Sequence, residues 1–157
     1  SMFKPVLEGR MLQAAAIRAN DDVLEIGTGT GFITACLAHM ARAVTSIDIH
    51  ADFLENAQAR LLGLDLNNVR FELADALSYR PQQQFDVVLV TAAVAVIPEA
   101  FKQWLRPGGR LFVIQGLSPV QEALCLSRFG DTYSIESVLE TDVPYLIGAQ
   151  PEPKFTF

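Results

Sequence analysis

The nine residues Val23-Leu24-Glu25-Ile26-Gly27-Thr28-Gly29-Thr30-Gly31 join a short apolar run to three glycines at alternate positions. An apolar, Ala-rich run, residues 32–40, follows directly. Glycine accepts positive φ and lets the backbone approach a ligand more closely than a Cβ allows. The pattern predicts a buried strand, a tight turn and the first turn of a helix, whose free N–H groups can meet a polar ligand. A strand-to-helix connection without a ligand fits the same pattern.

Strands and helices alternate through most of the remaining chain. Apolar periodicity and turn residues predict helices at 5–19, 31–41, 51–64 and 98–105, and strands at 22–26, 43–48, 69–73, 85–91 and 110–115. Such alternation is typical of a parallel α/β sheet with right-handed crossovers.

The pattern changes after the fifth strand. Two extended runs, 121–129 and 133–143, are joined by Gly130-Asp131, which predicts a β-hairpin. We therefore expect a Rossmann-like, doubly wound, mostly parallel sheet of seven strands in the order 3-2-1-4-5-7-6, with an antiparallel C-terminal hairpin.

Composition limits the possible classes of protein. The chain has 157 residues, half of them hydrophobic, and a mean hydropathy of +0.26, as expected for one globular domain. The net charge of −6 argues against a nucleic-acid partner, and charged residues interrupt every long apolar run, so we expect no membrane span. Without a basic and apolar leader, a cytoplasmic location is expected. Cys36 and Cys125 are interpreted as buried apolar residues rather than a disulfide or a metal site, and no metal is expected.

Three acidic residues fall at the ends of predicted strands. Glu25 ends the first strand, Asp48 ends the second, and Asp75 lies just past the third. In a doubly wound sheet, ligands bind outside the carboxyl ends of the strands. A single acid at such an end is a common helix cap, but three together indicate a binding site.

The spacing suggests a role for each position in binding a nucleoside. Asp48 can accept both hydroxyls of a ribose, and Ile49 can lie against the face of a base. Asp75 can accept a hydrogen bond from an adenine amino group, with the N–H of Ala76 facing the ring.

The glycine spacing separates two kinds of adenosine cofactor. A dinucleotide fingerprint, G-x-G-x-x-G, would need its third glycine where Phe32 stands. A pyrophosphate would also lie poorly beside the carboxylate of Glu25, whereas a sulfonium and an ammonium group would suit it. S-adenosyl-L-methionine, with S-adenosyl-L-homocysteine as its product, is therefore favoured over NAD, and a nucleotide-dependent oxidoreductase is disfavoured.

Five pieces in this order resemble the class I methyltransferases, and more narrowly the protein-L-isoaspartate O-methyltransferase family. They are VLEIGTGTG (23–31), the strand end at Asp48, FDVVLVTAA (85–93), IPEA (97–100) and LRPGGRL (105–111). The resemblance implies an S-adenosylmethionine-dependent O-methyltransferase of the cytoplasm that acts in protein repair. Its substrate would be a protein or peptide bearing isoaspartate, which it methylates on a carboxylate.

The cofactor-binding residues expected from the pattern and the resemblance together lie at four strand ends. They are Glu25, Gly27, Thr28, Gly29, Thr30, Asp48, Ile49, Asp75, Ala76 and Thr91. A carboxylate acceptor is already ionised near pH 7 and needs no general base. No catalytic residue is therefore assigned, and His39 and His50 are interpreted as surface or capping residues.

The chain departs from the family at its start. The family carries a Thr-Ile-Ser-Gln-Pro or Thr-Ile-Ser-Ala-Pro stretch whose serine lies at the reacting carboxylate. Aligned on Pro5, that serine is replaced by Phe3. We expect either a truncated chain without the family's N-terminal segment, or a branch of the family that keeps the cofactor half and alters the substrate half. We therefore expect weak isoaspartyl methylation or none. A methyltransferase for another substrate, or a cofactor-binding module, stays an alternative.

We expect a single methyltransferase domain over residues 1–157. It comprises an N-terminal helix region (1–20), a cofactor-binding α/β core (21–116), and a C-terminal β-hairpin and tail (117–157).

Overall fold

The computed structural model describes residues 5–153, so the prediction for Phe3 lies outside the described residues. Helices and strands alternate over most of this range, and three of the predicted strands have the predicted bounds. In chain order the elements are α1 (Pro5–Ala15), β1 (Asp22–Ile26), α2 (Phe32–Met40), β2 (Ala43–Asp48), α3 (Ala51–Gly63), β3 (Val69–Leu73), β4 (Phe85–Val94), α4 (Glu99–Gln103), β5 (Leu105–Leu117), β6 (Val120–Phe129) and β7 (Thr132–Thr141).

Several predicted bounds were wrong. β4 extends to Val94 rather than ending at residue 91, and β5 ends at Leu117 rather than at residue 115. The first helix ends at Ala15 rather than at residue 19, because Ala16 takes a positive φ of 47°. The fourth helix stops at Gln103, and β5 begins at Leu105 rather than at residue 110. Leu105 already pairs with Phe85, and the residues between it and Arg110 bulge out before the register resumes. The segment between the predicted helix at 98–105 and the predicted strand at 110–115 therefore belongs to the strand.

The seven strands form one sheet in the order β3-β2-β1-β4-β5-β6-β7, so the predicted order 3-2-1-4-5-7-6 is wrong. The first five strands in this order are parallel, and β6 runs antiparallel to both β5 and β7. Only Ser118 and Pro119 separate β5 from β6, and Leu117 pairs directly with Val120. Because so short a connection joins only adjacent antiparallel strands, β6 must lie beside β5. The predicted hairpin of β6 and β7 is confirmed.

Both faces of the central strands are covered, which explains the unbroken apolar run of β4. On one face, α1 and α2 pack on the sheet through Leu7, Met11 and Leu37. On the other, Phe101 and Trp104 at α4 pack against the sheet. Burying a Leu, Met or Phe side chain contributes about 1.5–3 kcal/mol, so these contacts fix the helices that border the carboxyl ends of the strands.

Ion pairs hold the amino ends of the central strands. The buried carboxylate of Asp22 at the start of β1 pairs with Arg42, and with Arg106 at 2.8 Å. Arg106 also pairs with Asp86 at 2.9 Å. Burial alone would raise the pKa of Asp22, but hydrogen bonds from Arg42 and Arg106 outweigh it and lower that pKa. This acid is therefore fully partnered.

Residues 5–153 contain no helix long and apolar enough to cross a membrane. Over the same range, no three His, Cys, Asp or Glu side chains are grouped so that they could hold a metal ion. Cys36 is half-buried, Cys125 is buried, and both carry free thiols.

Candidate functional site

The glycine turn after β1 passes between β4 and α3, and at two of its glycines there is no room for a side chain. Gly27 has a φ of 98°, and a Cβ there would collide with the hydroxyl of Thr91. That hydroxyl lies 2.9 Å from the carbonyl oxygens of both Ile26 and Gly27, and it donates to one of them at a time. At Gly31, with a φ of 84°, a Cβ would stand 2.9 Å from the Cβ of Ala57. The alternate glycines therefore let the turn lie against the end of β4 and against α3.

Glu25, at the end of β1, is fully buried at the floor of the site. Its Oε1 accepts hydrogen bonds from Thr34 Oγ1 at 2.5 Å and from Ser46 Oγ at 2.6 Å. Its Oε2 has no hydrogen-bond partner within the part of the chain that the structure describes. Burial raises the pKa of Glu25 to about 7, with a smaller rise from the charge of Asp48, against the hydrogen bonds from Ser46 and Thr34. A buried acceptor without a donor is costly unless a ligand supplies one.

Thr28 extends this network. Its Oγ1 lies 2.6 Å from Ser46 Oγ. Because the hydroxyl hydrogen of Ser46 points to Glu25, Thr28 is the donor in this pair. Thr30, by contrast, is exposed, and its Oγ1 accepts a hydrogen bond of 3.4 Å from the N–H of Phe32.

Asp48, at the end of β2, is held by two backbone N–H groups. Its Oδ2 accepts from the N–H of Gly29 at 3.2 Å, and its Oδ1 accepts from the N–H of His50 at 2.9 Å. An ionised carboxylate has about four acceptor positions, so each oxygen retains one. The side chain of Ile49 is 39% exposed beside it. The geometry presents a fixed carboxylate and an apolar side chain at the same strand end.

The loop after β3 brings the third acid to the same edge. The backbone N–H of Ala74 donates to the carbonyl oxygen of Asp48 at 3.0 Å, which ties this loop to the end of β2. Asp75 is exposed, and its Oδ1 accepts from the N–H of Leu77 at 2.9 Å. Ala76 between them is buried. The side chain of Asp75 is thus oriented by its own turn.

Two cavities adjoin at this edge and share Gly27, Phe53 and Thr91 as lining residues. The Asp48 cavity has a volume of about 220 Å³, and the Glu25 cavity has a volume of about 390 Å³. All ten residues predicted to bind a cofactor line one cavity or both. Asp48, Ile49, Asp75 and Ala76 line the first, Glu25, Thr28, Gly29 and Thr30 line the second, and Gly27 and Thr91 line both.

The segment after β7 forms a wall of the Asp48 cavity that sequence reasoning missed. The residues from Pro144 to Ile147 line this cavity. They are held against the end of β4, because the N–H of Ala93 donates to Pro144 O at 3.0 Å and the N–H of Leu146 donates to Ala93 O at 2.7 Å. Tyr145 OH donates to Gly116 O at 2.9 Å. The only local signal was an apolar run after the hairpin, which does not reveal where the chain turns back.

Residues in the helices, and one just before α3, were missed as well. Phe53 and His50 border the Asp48 cavity, and their rings meet edge to face with centroids 5.1 Å apart. The prediction that His50 lies at the surface is correct, but sequence reasoning did not place it at a cavity. His39 is exposed in the last turn of α2. The Glu25 cavity is bordered by Glu8 of α1 and by Asn56 and Arg60 of α3.

Together, these strand ends can bind an elongated ligand. The Asp48 cavity combines carboxylate acceptors with apolar walls, which suits a flat ring that carries hydroxyl and amino groups. The Glu25 cavity has an acidic floor, which suits a group that donates hydrogen bonds or carries positive charge.

Comparison with known proteins identifies a family. The sequence model of the protein-L-isoaspartate(D-aspartate) O-methyltransferase family matches residues 2–146. The protein-L-isoaspartate O-methyltransferase of Methylorubrum extorquens is 41% identical over 131 residues, which are 83% of this chain and 57% of that protein. The protein of the same name from Dinoroseobacter shibae is 37% identical over 155 residues, 97% of this chain and 72% of that protein. The first three curated relatives are matched over 57, 61 and 63% of their own length.

Solved structures share the fold. A protein-L-isoaspartate O-methyltransferase superposes with a TM-score of 0.80 and 26% identity, covering 90% of this chain and 46% of the other. A Plasmodium falciparum protein assigned to the same family, in complex with S-adenosyl-L-homocysteine, superposes with a TM-score of 0.79. It is 14% identical over 92% of this chain and 75% of its own, so it supports the fold alone. Since the family model covers nearly the whole sequence, the chain belongs to the protein-L-isoaspartate(D-aspartate) O-methyltransferase family.

Proposed function

We propose that this chain is an S-adenosylmethionine-dependent O-methyltransferase that methylates the carboxylate of isoaspartyl residues in proteins and peptides. The observation that carries the proposal is the joined pair of cavities at the carboxyl edge, with Asp48 in one and the unpartnered oxygen of Glu25 in the other. Membership of the family supplies the reaction and the acceptor, since its relatives bear that activity in their names. We also propose that residues 1–157 form one methyltransferase domain.

The Asp48 cavity fits the adenosine part of the cofactor. Asp48 would accept the two ribose hydroxyls at the lone pairs that the N–H groups of Gly29 and His50 leave free. Ile49 would lie against the adenine ring, while Asp75 would accept from its amino group and the N–H of Ala76 would face the ring. The apolar wall from Pro144 to Ile147 would exclude water from the other side of this cavity.

The Glu25 cavity fits the amino-acid part of the cofactor. The backbone from Gly27 to Thr30 can approach this part closely, and Thr91 completes the wall at the end of β4. Glu25 Oε2 needs a donor, and an α-ammonium group beside a sulfonium would supply one with the charge that an acidic floor favours. The residues therefore fit the group by hydrogen bonding, shape and charge.

The protein's contribution to the reaction would be placement. A bound cofactor would supply an electrophilic methyl group on a positively charged sulfur, which leaves as a neutral thioether when the methyl group passes to an oxygen of the substrate carboxylate. The substrate carboxylate is ionised near pH 7, so no side chain needs to remove a proton. The acidic edge would hold the sulfur end of the cofactor in place, and alignment of two reacting groups can lower a barrier by about 7–11 kcal/mol.

The acceptor side depends on Phe3, which stands where the family's serine would be. A phenyl ring offers no hydroxyl to a carboxylate, so we propose slow turnover of isoaspartyl peptides by this chain. A protein or peptide bearing isoaspartate is the proposed partner. We also propose the cytoplasm as its compartment, because the free thiols of Cys36 and Cys125 suit a reducing environment.

Transfer of a labelled methyl group to an isoaspartyl peptide, with the matching aspartyl peptide as control, tests the function. We expect slow, isoaspartyl-dependent, base-labile incorporation that Phe3→Ser increases. A purified chain that binds the cofactor but methylates neither peptide, with or without Phe3→Ser, would reject the enzyme proposal in favour of a cofactor-binding module. Equal methylation of the two peptides would instead reject the isoaspartyl specificity.

A further inference from the structure

Two charged side chains from different helices border the Glu25 cavity, and the proposed function above gives neither of them a role. Glu8 comes from α1, and Arg60 comes from the last turn of α3, with Asn56 one turn before it. Glu8 is half-buried, and burial raises the pKa of its carboxyl group. Neither Glu8 nor Arg60 forms an ion pair with any of residues 5–153. Opposite charges therefore face one cavity without neutralising each other.

The floor of the same cavity provides an independent observation. Glu25 is fully buried and lines the cavity, and its Oε2 lacks a hydrogen-bond donor within the described range. The negative charges of Glu8 and Glu25 also act together on the thiol of Cys36 on α2. Burial raises the pKa of this thiol most, and the two charges raise it further. One part of the cavity is thus acidic, whereas Arg60 and the amide of Asn56 supply donors at another.

We propose that Glu8 and Arg60 bind the two charged groups of the cofactor's amino-acid end. Glu8, together with Glu25, binds the α-ammonium group, and Arg60, together with Asn56, binds the α-carboxylate. This inference rests on the proposed function and adds two residues, both outside the glycine turn, that recognise a zwitterion rather than an adenosine. The consequence is selectivity for ligands that carry the amino acid over ligands that stop at the thioether.

α1 is well placed for such a role. Leu7 and Met11, on either side of Glu8 in sequence, are 2% and 0% exposed and anchor the helix on the sheet. α3 is anchored in the same way by Ala57 and Leu61, which flank Arg60 and are also buried. Because both helices are anchored on the sheet, only the side chains of Glu8 and Arg60, and not their backbones, have to be ordered when the ligand binds.

Calorimetric titration with two ligands tests the inference on the 157-residue chain. S-adenosyl-L-homocysteine carries the amino-acid end, and 5′-methylthioadenosine has the same adenosine and thioether without it. We expect Glu8→Gln and Arg60→Gln each to weaken S-adenosyl-L-homocysteine binding about three- to tenfold, since both contacts are charge-assisted but partly open to water. Neither variant should change the affinity for 5′-methylthioadenosine. Glu55→Gln, an exposed charge removal on α3 away from both cavities, is the matched control and should change neither affinity.

The outcomes separate this inference from the function on which it rests. If the unsubstituted chain binds S-adenosyl-L-homocysteine and both folded variants bind it equally well, the roles of Glu8 and Arg60 are wrong while the proposed function stands. Equal losses for the two ligands, or equal affinity of the unsubstituted chain for both, would also overturn the inference. If the unsubstituted chain binds neither ligand, the proposed function fails as well. Circular dichroism of each variant verifies its folding.

Discussion

β1 carries a buried acid near each of its ends, and the two have opposite surroundings. At the amino end, Asp22 is paired with Arg42 and Arg106, which outweigh burial and lower its pKa. At the carboxyl end, Glu25 has hydroxyl donors on one oxygen and none within residues 5–153 on the other, and burial raises its pKa to about 7. The same strand thus holds one acid that the fold satisfies and one that it leaves incomplete.

The difference separates stability from binding. A buried carboxylate with cationic partners ties three segments of chain together and needs nothing further. A buried carboxylate with a free oxygen costs free energy in the folded chain, and a cavity beside it gives a ligand access. Perturbed acids in a cleft mark functional sites for this reason. Asp22 should therefore matter for folding, and Glu25 for the ligand.

The largest expected effect is a gain in folding stability when the buried acid Glu25 is replaced by a neutral residue. The folded pKa of about 7 lies above the ordinary value of 4.5, so the folded chain holds a proton that the unfolded chain has lost between these values. Stability therefore falls as the pH rises from about 4.5 to 7. Glu25→Gln should raise the free energy of unfolding at pH 8 by on the order of 3 kcal/mol and leave it unchanged at pH 4. Urea denaturation at both pH values measures this, and a variant that is less stable at pH 8 would contradict it.

Substitution of Asp22 should lower the stability of the chain, whereas substitution of Glu25 should raise it. Asp22→Asn removes the charge with which Arg42 and Arg106 pair. We expect it to lower the free energy of unfolding by about 2 kcal/mol at pH 7. This is less than the cost at a fully buried ion pair, because both arginines reach water. Since the folded pKa of Asp22 is lowered, this stability is present above the unfolded pKa and disappears as the pH falls through the folded pKa.

Urea denaturation from pH 7 down to pH 2 should show the Asp22→Asn chain and the unsubstituted chain converging in acid. Asp131→Asn, in the exposed turn between β6 and β7, is the control. If the folded Asp22→Asn chain lost affinity for the ligand, the assignment of Asp22 to stability and of Glu25 to ligand binding would be wrong.

Asp48→Ala should weaken cofactor binding without unfolding the chain. Loss of a carboxylate that accepts two hydroxyls costs about 1–3 kcal/mol, or about ten- to a hundredfold in affinity. Calorimetry with S-adenosyl-L-homocysteine measures the change. Asp52→Ala, an exposed acid in the first turn of α3, should keep the affinity. Unchanged affinity in folded Asp48→Ala chain would mean that the ribose is held elsewhere.

The smallest expected effect is the release of a fraction of a proton from Glu25 when the cofactor binds. With its pKa at about 7, Glu25 is partly protonated at neutral pH, and a cationic ligand beside it lowers that pKa. Binding of S-adenosyl-L-methionine at pH 7 should therefore release part of a proton, and more than binding of S-adenosyl-L-homocysteine, which lacks the sulfonium charge. Calorimetry in buffers of different ionisation enthalpy detects this release. The same release from Glu25→Gln chain would assign it to another group.

Much of the parallel half of the fold could be predicted from the sequence. Apolar runs ending in Glu25 and Asp48 mark buried strands, and the carboxyl ends of parallel strands meet at one edge, so local patterns suffice to bring these acids together. The unpartnered oxygen of Glu25 could not be predicted, because it depends on how Thr34 and Ser46 approach from two other elements.

The prediction of strand order failed at the opposite edge. The predicted strands at 110–115 and 121–129 left five residues between them, whereas in the structure only Ser118 and Pro119 separate β5 from β6, and so short a connection requires the two strands to pair. Glu8 and Arg60 were missed for a different reason. Their meeting at one cavity depends on where α1 and α3 lie on the sheet, which no pattern in either helix encodes.

Titration of the 157-residue chain with S-adenosyl-L-homocysteine and, separately, with NAD tests the central claim most directly. The acid at Glu25 and the side chain at Phe32, where a dinucleotide fingerprint has glycine, predict binding of the first ligand and no measurable binding of the second. Calorimetry at pH 7.5 provides both results under one condition. Binding of NAD without binding of S-adenosyl-L-homocysteine would contradict the assignment of both cavities.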